Sequence, residues 1–281
     1  MKNFLLYIGI LIFSYACTSS SNFYIENGNT FIVIDQHASN AAILAAHELQ
    51  HFIQESSGIT LPIVKSVPSK HAKLFCIGKS PYTPELDSIQ FKAQEYLIKI
   101  TSEKIILAGQ DENKKHDNGR DNNGTTISND RLKINYSQLI NDSIGHKEIT
   151  LPSIYDAQGT CYAVYDFLEK FIGIRFYGPH PLNIVIPQKA KIQFPLTEIR
   201  RTPDLKYRVG WPMMKDQYFN SSGEMFQLFL RRIKFGGEKW AANHAFSSYQ
   251  DRFLKKNPKY PELFESYHPE YFAQGRTGGA H

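Results

Sequence analysis

The stretch from Gly159 to Pro179 constrains the fold of this chain most, because it joins a helix to a short strand. Apolar residues recur there at helical spacing, while three charged residues fall on the other side. The apolar positions are Cys161, Val164, Phe167, Leu168, Phe171 and Ile172, and the charged positions are Asp166, Glu169 and Lys170. Gly173 stands where a left-handed residue commonly ends a helix. The stretch predicts a core helix over 159–172 and an aromatic strand over 174–177.

Upstream of this stretch, the apolar pattern predicts a helix over 38–56 and strands at 61–64, 73–77, 95–100 and 105–108. Asn27-Gly28 is typical of a two-residue hairpin, which predicts that the apolar run starting at Phe23 pairs with the run starting at Thr30. Residues 109–148 are polar and have little apolar periodicity before Leu132, so we expect a long, mobile insertion. Together these elements predict an α+β domain, with a mixed sheet and packed helices, over 23–200.

A second unit is predicted after residue 200. Residues 204–211 have the pattern of a strand, 223–234 that of a helix ended by Gly236-Gly237, and 238–246 that of a second strand. The order strand, helix, strand predicts a parallel pair with a right-handed crossover.

Several ordered segments carry a resemblance to a known family. They are 41–58 running into 59–64, the stretch 159–179, Val185-Ile-Pro187 and Arg201-Thr-Pro203. Together, over about residues 23–275, they resemble the accessory domain found at the N-terminus of alpha-glucuronidases and beta-hexosaminidases. The closest resemblance is to a large family of uncharacterised bacterial surface proteins, which place this domain before a glycosidase-like barrel.

The resemblance implies that residues 201–281 begin a (β/α)8 barrel. Such a barrel takes about 250 residues, so we expect an incomplete barrel and a chain that is a fragment of a longer protein. The catalytic residues are unknown and are expected beyond His281. The implied activity is glycoside hydrolysis on an oligosaccharide or polysaccharide, with this fragment inactive. The alternative is a non-catalytic, glycan-binding surface lipoprotein.

Four residues near the carboxyl ends of the two predicted barrel strands are candidate substrate contacts. Arg208 and Trp211 end the first strand, and Asn243 and His244 lie in the second. Barrel sites form on the carboxyl face, and by the resemblance these side chains would contact sugar. Packing inside the barrel is the alternative role for them.

The amino terminus predicts export. Lys2 precedes an apolar run over 4–16 that is too short to span a bilayer, so residues 1–16 are predicted to be a signal peptide. Cys17 follows a small residue and starts a polar tether over 17–22, which is typical of a bacterial lipoprotein. We therefore expect acylation of Cys17 and attachment to the outer membrane or to a periplasm-facing membrane. In the alternative, an ordinary secretory signal, Cys17 is incidental.

Composition excludes some classes of partner. With 42% hydrophobic residues the chain is globular, and a net charge of +5 without a dense basic run predicts no nucleic acid partner. Cys76 and Cys161 are predicted to be buried thiols, a disulfide between them being the alternative. No cofactor is indicated.

His47-Glu48-Leu49-Gln50-His51 matches the zinc protease pattern, which makes a metalloprotease the second alternative function. The sequence disfavours it, because no third ligand follows and the chain turns at Gly58 into a strand. The apolar stripe of the helix places both histidines about 160° from Leu49, so they are predicted to lie on its solvated face. We expect no metal.

Overall fold

The structure of the chain, a computed structural model, describes residues 22–112, 132–140, 148–209, 223–237, 246–259 and 261–272. The strands are β1 Asn22–Tyr24, β2 Thr30–Val33, β3 Ile63–Val64, β4 Lys73–Ile77, β5 Tyr96–Ile100, β6 Lys104–Gly109, β7 Lys133–Asn135, β8 Glu148–Thr150, β9 Arg175–Phe176, β10 Ile184–Val185, β11 Gln193–Pro195, β12 Thr197–Arg201, β13 Tyr207–Arg208 and β14 Gly236–Gly237. The helices are α1 Asn40–Ser57, α2 Tyr136–Ile140, α3 Gly159–Phe167, α4 Gly223–Arg232 and α5 Phe246–Phe253.

A six-stranded mixed sheet, in the order β12-β5-β6-β4-β2-β3, organises the fold. The four strands β3, β2, β4 and β6 run parallel, whereas β5 is antiparallel to both β6 and β12. The predicted helix over 38–56 and the four predicted strands of this region are all present, with shifts of at most two residues at their ends. The described part of the chain is therefore a mixed α/β structure.

The predicted hairpin at Asn27-Gly28 is wrong. Gly28 does adopt a left-handed conformation in a turn, but the two flanking strands enter different sheets. β1 pairs antiparallel with β11, whereas β2 pairs in parallel with β3 and β4. The reason lies in β2, where Ile32 and Val33 are consecutive and fully buried, as expected for a strand covered on both faces.

α1 and α3 pack side by side against one face of the sheet. The predicted apolar stripe of α1 is confirmed, since Ala42, Ala45, Ala46, Leu49, Phe52 and Ile53 are all buried. Every residue of α3 is buried, including Asp166, so the prediction of a solvated charged side is wrong for that residue. The helix continues as a π-helical turn, Leu168–Ile172, and ends at Gly173, whose φ of 91° confirms the predicted left-handed cap.

The main core is rich in aromatic rings. Phe167 of α3 lies 4.8 Å from Phe194 of β11 and 5.8 Å from Phe75 of β4, measured between ring centroids. A smaller cluster covers the opposite face of the sheet beneath the 3-10 turn Pro84–Ser88 and contains Cys76, Leu97 and Ile106. Cys76 and Cys161 are free and buried, as predicted.

α4 joins the main core. Phe226, Phe229 and Leu230 are at most 4% exposed and belong to the same apolar cluster as α1 and α3, so the helix predicted over 223–234 packs on this core. After α4 the chain turns into β14, Gly236–Gly237, which pairs antiparallel with β13. The predicted second strand over 238–246 lies largely outside the described residues, and among the described residues no barrel is formed. The division at residue 200 stays a prediction.

Three predicted segments lie wholly or mostly outside the described residues: the signal peptide over 1–16, the tether over 17–22 except Asn22, and most of the polar insertion. At the carboxyl end of that insertion, β7 and β8 form a two-stranded antiparallel sheet next to α2. None of the described helices is both long and apolar enough to span a bilayer.

Candidate functional site

The zinc-protease pattern on α1 has a structural role at its glutamate. Glu48 is fully buried, and its two oxygens accept a bidentate pair of hydrogen bonds from Arg232 of α4, at 2.7 and 2.8 Å. The hydroxyl of Tyr136 donates a third bond to the same carboxylate. A carboxylate enclosed in this way cannot reach a metal-bound water, so its geometry does not fit the protease mechanism.

Electrostatics keep Glu48 ionised. Burial alone would raise the pKa of Glu48, but the charge of Arg232 and the hydrogen bonds from Arg232 and Tyr136 outweigh it and hold the pKa below its usual value. The guanidinium of Arg232 also lies 5.2 Å from the ring centroid of Phe52. The pair therefore fastens α4 to α1 in the centre of the core.

The two histidines of the pattern are not on a solvated face, which corrects the prediction. Both are half-buried, and the Nδ1 atom of each is out of contact with solvent. The ring of His47 lies 5.9 Å from that of Tyr136, and the ring of His51 lies 4.8 Å from that of Phe52. Within the described ranges, no three His, Cys, Asp or Glu side chains are grouped so that they could hold a metal ion.

Of the four predicted sugar contacts, only Arg208 is described. Its guanidinium donates to the carbonyl oxygens of Lys234 and Leu205, to Gln94 Oε1 and to the hydroxyl of Tyr162. These bonds join β13 to α3 and to the turn after α4. Trp211, Asn243 and His244 lie outside the described residues, so the structure does not bring the four together, and their roles stay predictions.

The described residues form a crevice at the carboxyl ends of the parallel strands β2, β4 and β6. From β2 the chain passes through α1 to β3 on one side, whereas from β4 it passes to β5 and β6 on the other. Ligands of open α/β sheets bind at such a point of divergence, outside the carboxyl ends of the strands. The crevice has a volume of about 710 Å³, which lies within the usual range for small-molecule sites.

Polar side chains enter the crevice from each of the three strands. Asp35 follows β2, Lys79 and Ser80 follow β4, and Asp111 follows β6. Asp35 Oδ1 accepts a 2.8 Å hydrogen bond from the backbone of exposed His37. Ser80 is only 8% exposed, and its hydroxyl oxygen accepts from the backbone of Tyr82.

Asp111 connects the crevice to helices α1 and α3 through hydrogen bonds. Its carboxylate accepts from the hydroxyl of Ser39, the N-cap of α1, at 2.6 Å and from the backbone of Thr160 in α3 at 2.9 Å. Burial raises the pKa of Asp111 by more than these hydrogen bonds lower it. β6 and α3 meet closely here, because a Cβ atom on Gly109 would lie 2.6 Å from the backbone of Gly159.

Apolar residues line the crevice beside these polar groups: Pro81, Leu86, Ile89, Phe91 and Ala108. Sequence reasoning did not single out the crevice, although a signal was available. Asp35, Ser80 and Asp111 each come two or three residues after the end of a strand. Three such strands in parallel would have placed their following residues at one edge of the sheet. The parallel order was not predicted, because the sequence pattern at Asn27-Gly28 predicted that β2 pairs with β1 in an antiparallel hairpin.

No protein-family model matches this chain, and no curated protein matches it either. Among solved structures, it is similar to a GH20 exo-beta-N-acetylglucosaminidase from Vibrio harveyi in complex with N-acetylglucosamine, with 12% identity over 66% of this chain and a TM-score of 0.32. It is also similar to a family GH115 4-O-methyl-alpha-glucuronidase with specificity for decorated arabinogalactans, with 13% identity over 76% of this chain and a TM-score of 0.40. The chain spans 18% and 25% of the lengths of these two proteins.

Proposed function

We propose that this chain belongs to an exported, lipid-anchored, carbohydrate-active protein and that its described domain binds glycan. The observation that carries this proposal is the crevice, where hydrogen-bonding groups from three strands stand beside an apolar wall. Sugars present hydroxyl groups around their edge and C–H groups on their faces, so they need both kinds of surface. The resemblance of the sequence to glycosidase accessory domains supports the same class of ligand.

Native affinity electrophoresis of the full chain tests the binding proposal. We expect migration to be retarded in gels that contain at least one soluble plant or bacterial polysaccharide. Ser80→Ala should reduce the retardation, because Ser80 lines the crevice, whereas Ser102→Ala in the exposed β5–β6 turn should not. Unchanged migration in every polysaccharide would contradict the proposal.

The lipid anchor is proposed from the sequence. Mass spectrometry of the mature N-terminus should find acylated Cys17 after cleavage at Ala16. An unmodified N-terminus at any other position would show that the anchor is wrong.

Glycoside hydrolysis is proposed for the complete barrel of a longer protein, with Trp211, Asn243 and His244 as sugar contacts. Glycosidases need two carboxyl groups about 5 to 9.5 Å apart, and we place that pair beyond His281. Aryl glycosides test this assignment. Hydrolysis should require the longer protein, and turnover by the 281-residue chain alone would contradict it.

A further inference from the structure

The crevice carries an excess of negative charge. Among the described residues, its walls include the three carboxylates of Asp35, Asp87 and Asp111 but only one ammonium group, that of Lys79. That ammonium already lies 2.7 Å from the carboxylate of Asp87. Arg200, whose guanidinium stands 5.6 Å from the ring centroid of Phe91, is bound to Glu95 at 2.6 Å. Both cations are therefore compensated within the chain.

Two polar side chains of the crevice, Asp35 and Ser80, can form further hydrogen bonds. Asp35 accepts one backbone hydrogen bond and forms no ion pair with a described residue, so its carboxylate can accept further bonds. Ser80 is nearly buried, and no described residue accepts its hydroxyl proton. The crevice thus offers an acceptor and a donor, which is the complement that a sugar hydroxyl requires.

We propose that the crevice is a subsite for neutral or amino sugars and that it excludes uronic acids and other anions. This proposal rests on the glycan-binding function proposed above and adds the charge class of the ligand. Asp35 accepts from a sugar hydroxyl or ammonium group, Ser80 donates to a hydroxyl, and Phe91 with Pro81 contacts the apolar face. A ligand carboxylate would face Asp35 and Asp111, and no described residue of the crevice offers it a free cation. Like charges a few ångströms apart repel strongly where water is partly excluded.

Titration by saturation-transfer NMR tests this charge selectivity on the full chain. The probes are disaccharides of glucose, galactose, mannose and xylose, together with the amino and uronate counterparts of the hexose disaccharides. We expect at least one neutral or amino probe to bind with a dissociation constant below about 1 mM. Its uronate counterpart should bind at least roughly tenfold more weakly, because of the charge repulsion.

Asp35→Asn removes the charge of Asp35 but keeps its size and an acceptor oxygen. The preference over uronates should fall by roughly tenfold in this variant. The matched control is Glu103→Gln, which removes an exposed carboxylate from the turn before β6. This turn lies at the amino end of β6, whereas the crevice lies at its carboxyl end. The control should leave the preference unchanged. Asp87→Asn, on a side chain that is 65% exposed, is the second variant if Asp35→Asn does not fold, and it should shift the preference in the same direction.

The outcomes separate two failures. If no sugar binds, both the glycan-binding function and the charge selectivity are wrong. If sugars bind but uronates bind as well or better, or if neither Asp35→Asn nor Asp87→Asn shifts the preference, glycan binding stands and the assignment to this crevice is wrong.

Discussion

The interior beneath α1 and the crevice at the amino end of the same helix both hold carboxylates, but those carboxylates have different partners. In the interior, both oxygens of Glu48 are bound by Arg232, and Tyr136 adds a further bond. In the crevice, the described residues give Asp35 a single hydrogen bond, from a backbone N–H to its Oδ1 atom. The charge of Glu48 is neutralised inside the fold, whereas Asp35 forms no ion pair with a described residue. The literal sequence motif therefore contains a structural carboxylate, whereas the carboxylate that we propose to bind the ligand, Asp35, lies outside any motif.

The largest expected effect comes from breaking the buried pair. Glu48→Ala should lower the free energy of unfolding by about 3 to 5 kcal/mol, because it leaves Arg232 buried without a counter-charge. Urea denaturation of the full chain measures it. A double variant, Glu48→Leu with Arg232→Leu, should recover much of the loss. A loss below 1 kcal/mol in the single variant would contradict the structural role.

An aromatic ring of the same core can be removed without changing any charge. Phe167→Ala should cost about 3 to 5 kcal/mol of unfolding free energy, because the ring is fully buried among Phe75 and Phe194. Glu169→Ala, two residues further on, breaks only a partly exposed pair with Lys234 and should cost at most about 1 kcal/mol. Equal denaturant midpoints for the two variants would show that the buried face of this helix is misassigned.

Acid should weaken the buried pair. The pKa of Glu48 in the folded protein lies below its usual value of 4.5, so its stabilising contribution is complete above that pH and is lost as the pH falls through the folded pKa. The pKa of Asp111 is raised, so Asp111 changes the stability of the protein with pH in the opposite direction. The contribution of Glu48 is therefore measured as the difference in stability between two variants. The stability gap between the native chain and Glu48→Gln should narrow as the pH falls below 4.5, as measured by urea denaturation at each pH. A gap that widened with acid would contradict the ion pair.

The smallest effect on stability is expected in the crevice. Lys79→Ala should change the free energy of unfolding by at most about 1 kcal/mol, since its pair with Asp87 is 70% and 65% exposed. Asp35→Asn should be similarly mild, because asparagine can still accept from the backbone of His37. A loss comparable to that of Glu48→Ala would mean that the crevice carboxylates belong to the fold, as Glu48 does.

Local patterns in the sequence predicted local structure well. The helical stripe of α1, the strand Lys73–Ile77 and the cap at Gly173 follow from the spacing of apolar residues and from the backbone freedom of glycine. Pairing between distant segments was not predictable in this way. Two examples are the ion pair of Glu48 with Arg232 and the parallel pairing of β2 with β4. Both depend on which distant segments come into contact, and the periodicity of a single sequence does not indicate those contacts.

Photoaffinity labelling tests whether the ligand binds in the crevice and not at the charged interior. A diazirine derivative of the neutral or amino disaccharide that binds best is cross-linked to the full chain, and the labelled peptides are identified by mass spectrometry. We expect labels on residues 35–39, 78–91 and 109–111, suppressed by an excess of the free disaccharide. Specific labels confined to other parts of the chain, with none on these three segments, would contradict binding in the crevice.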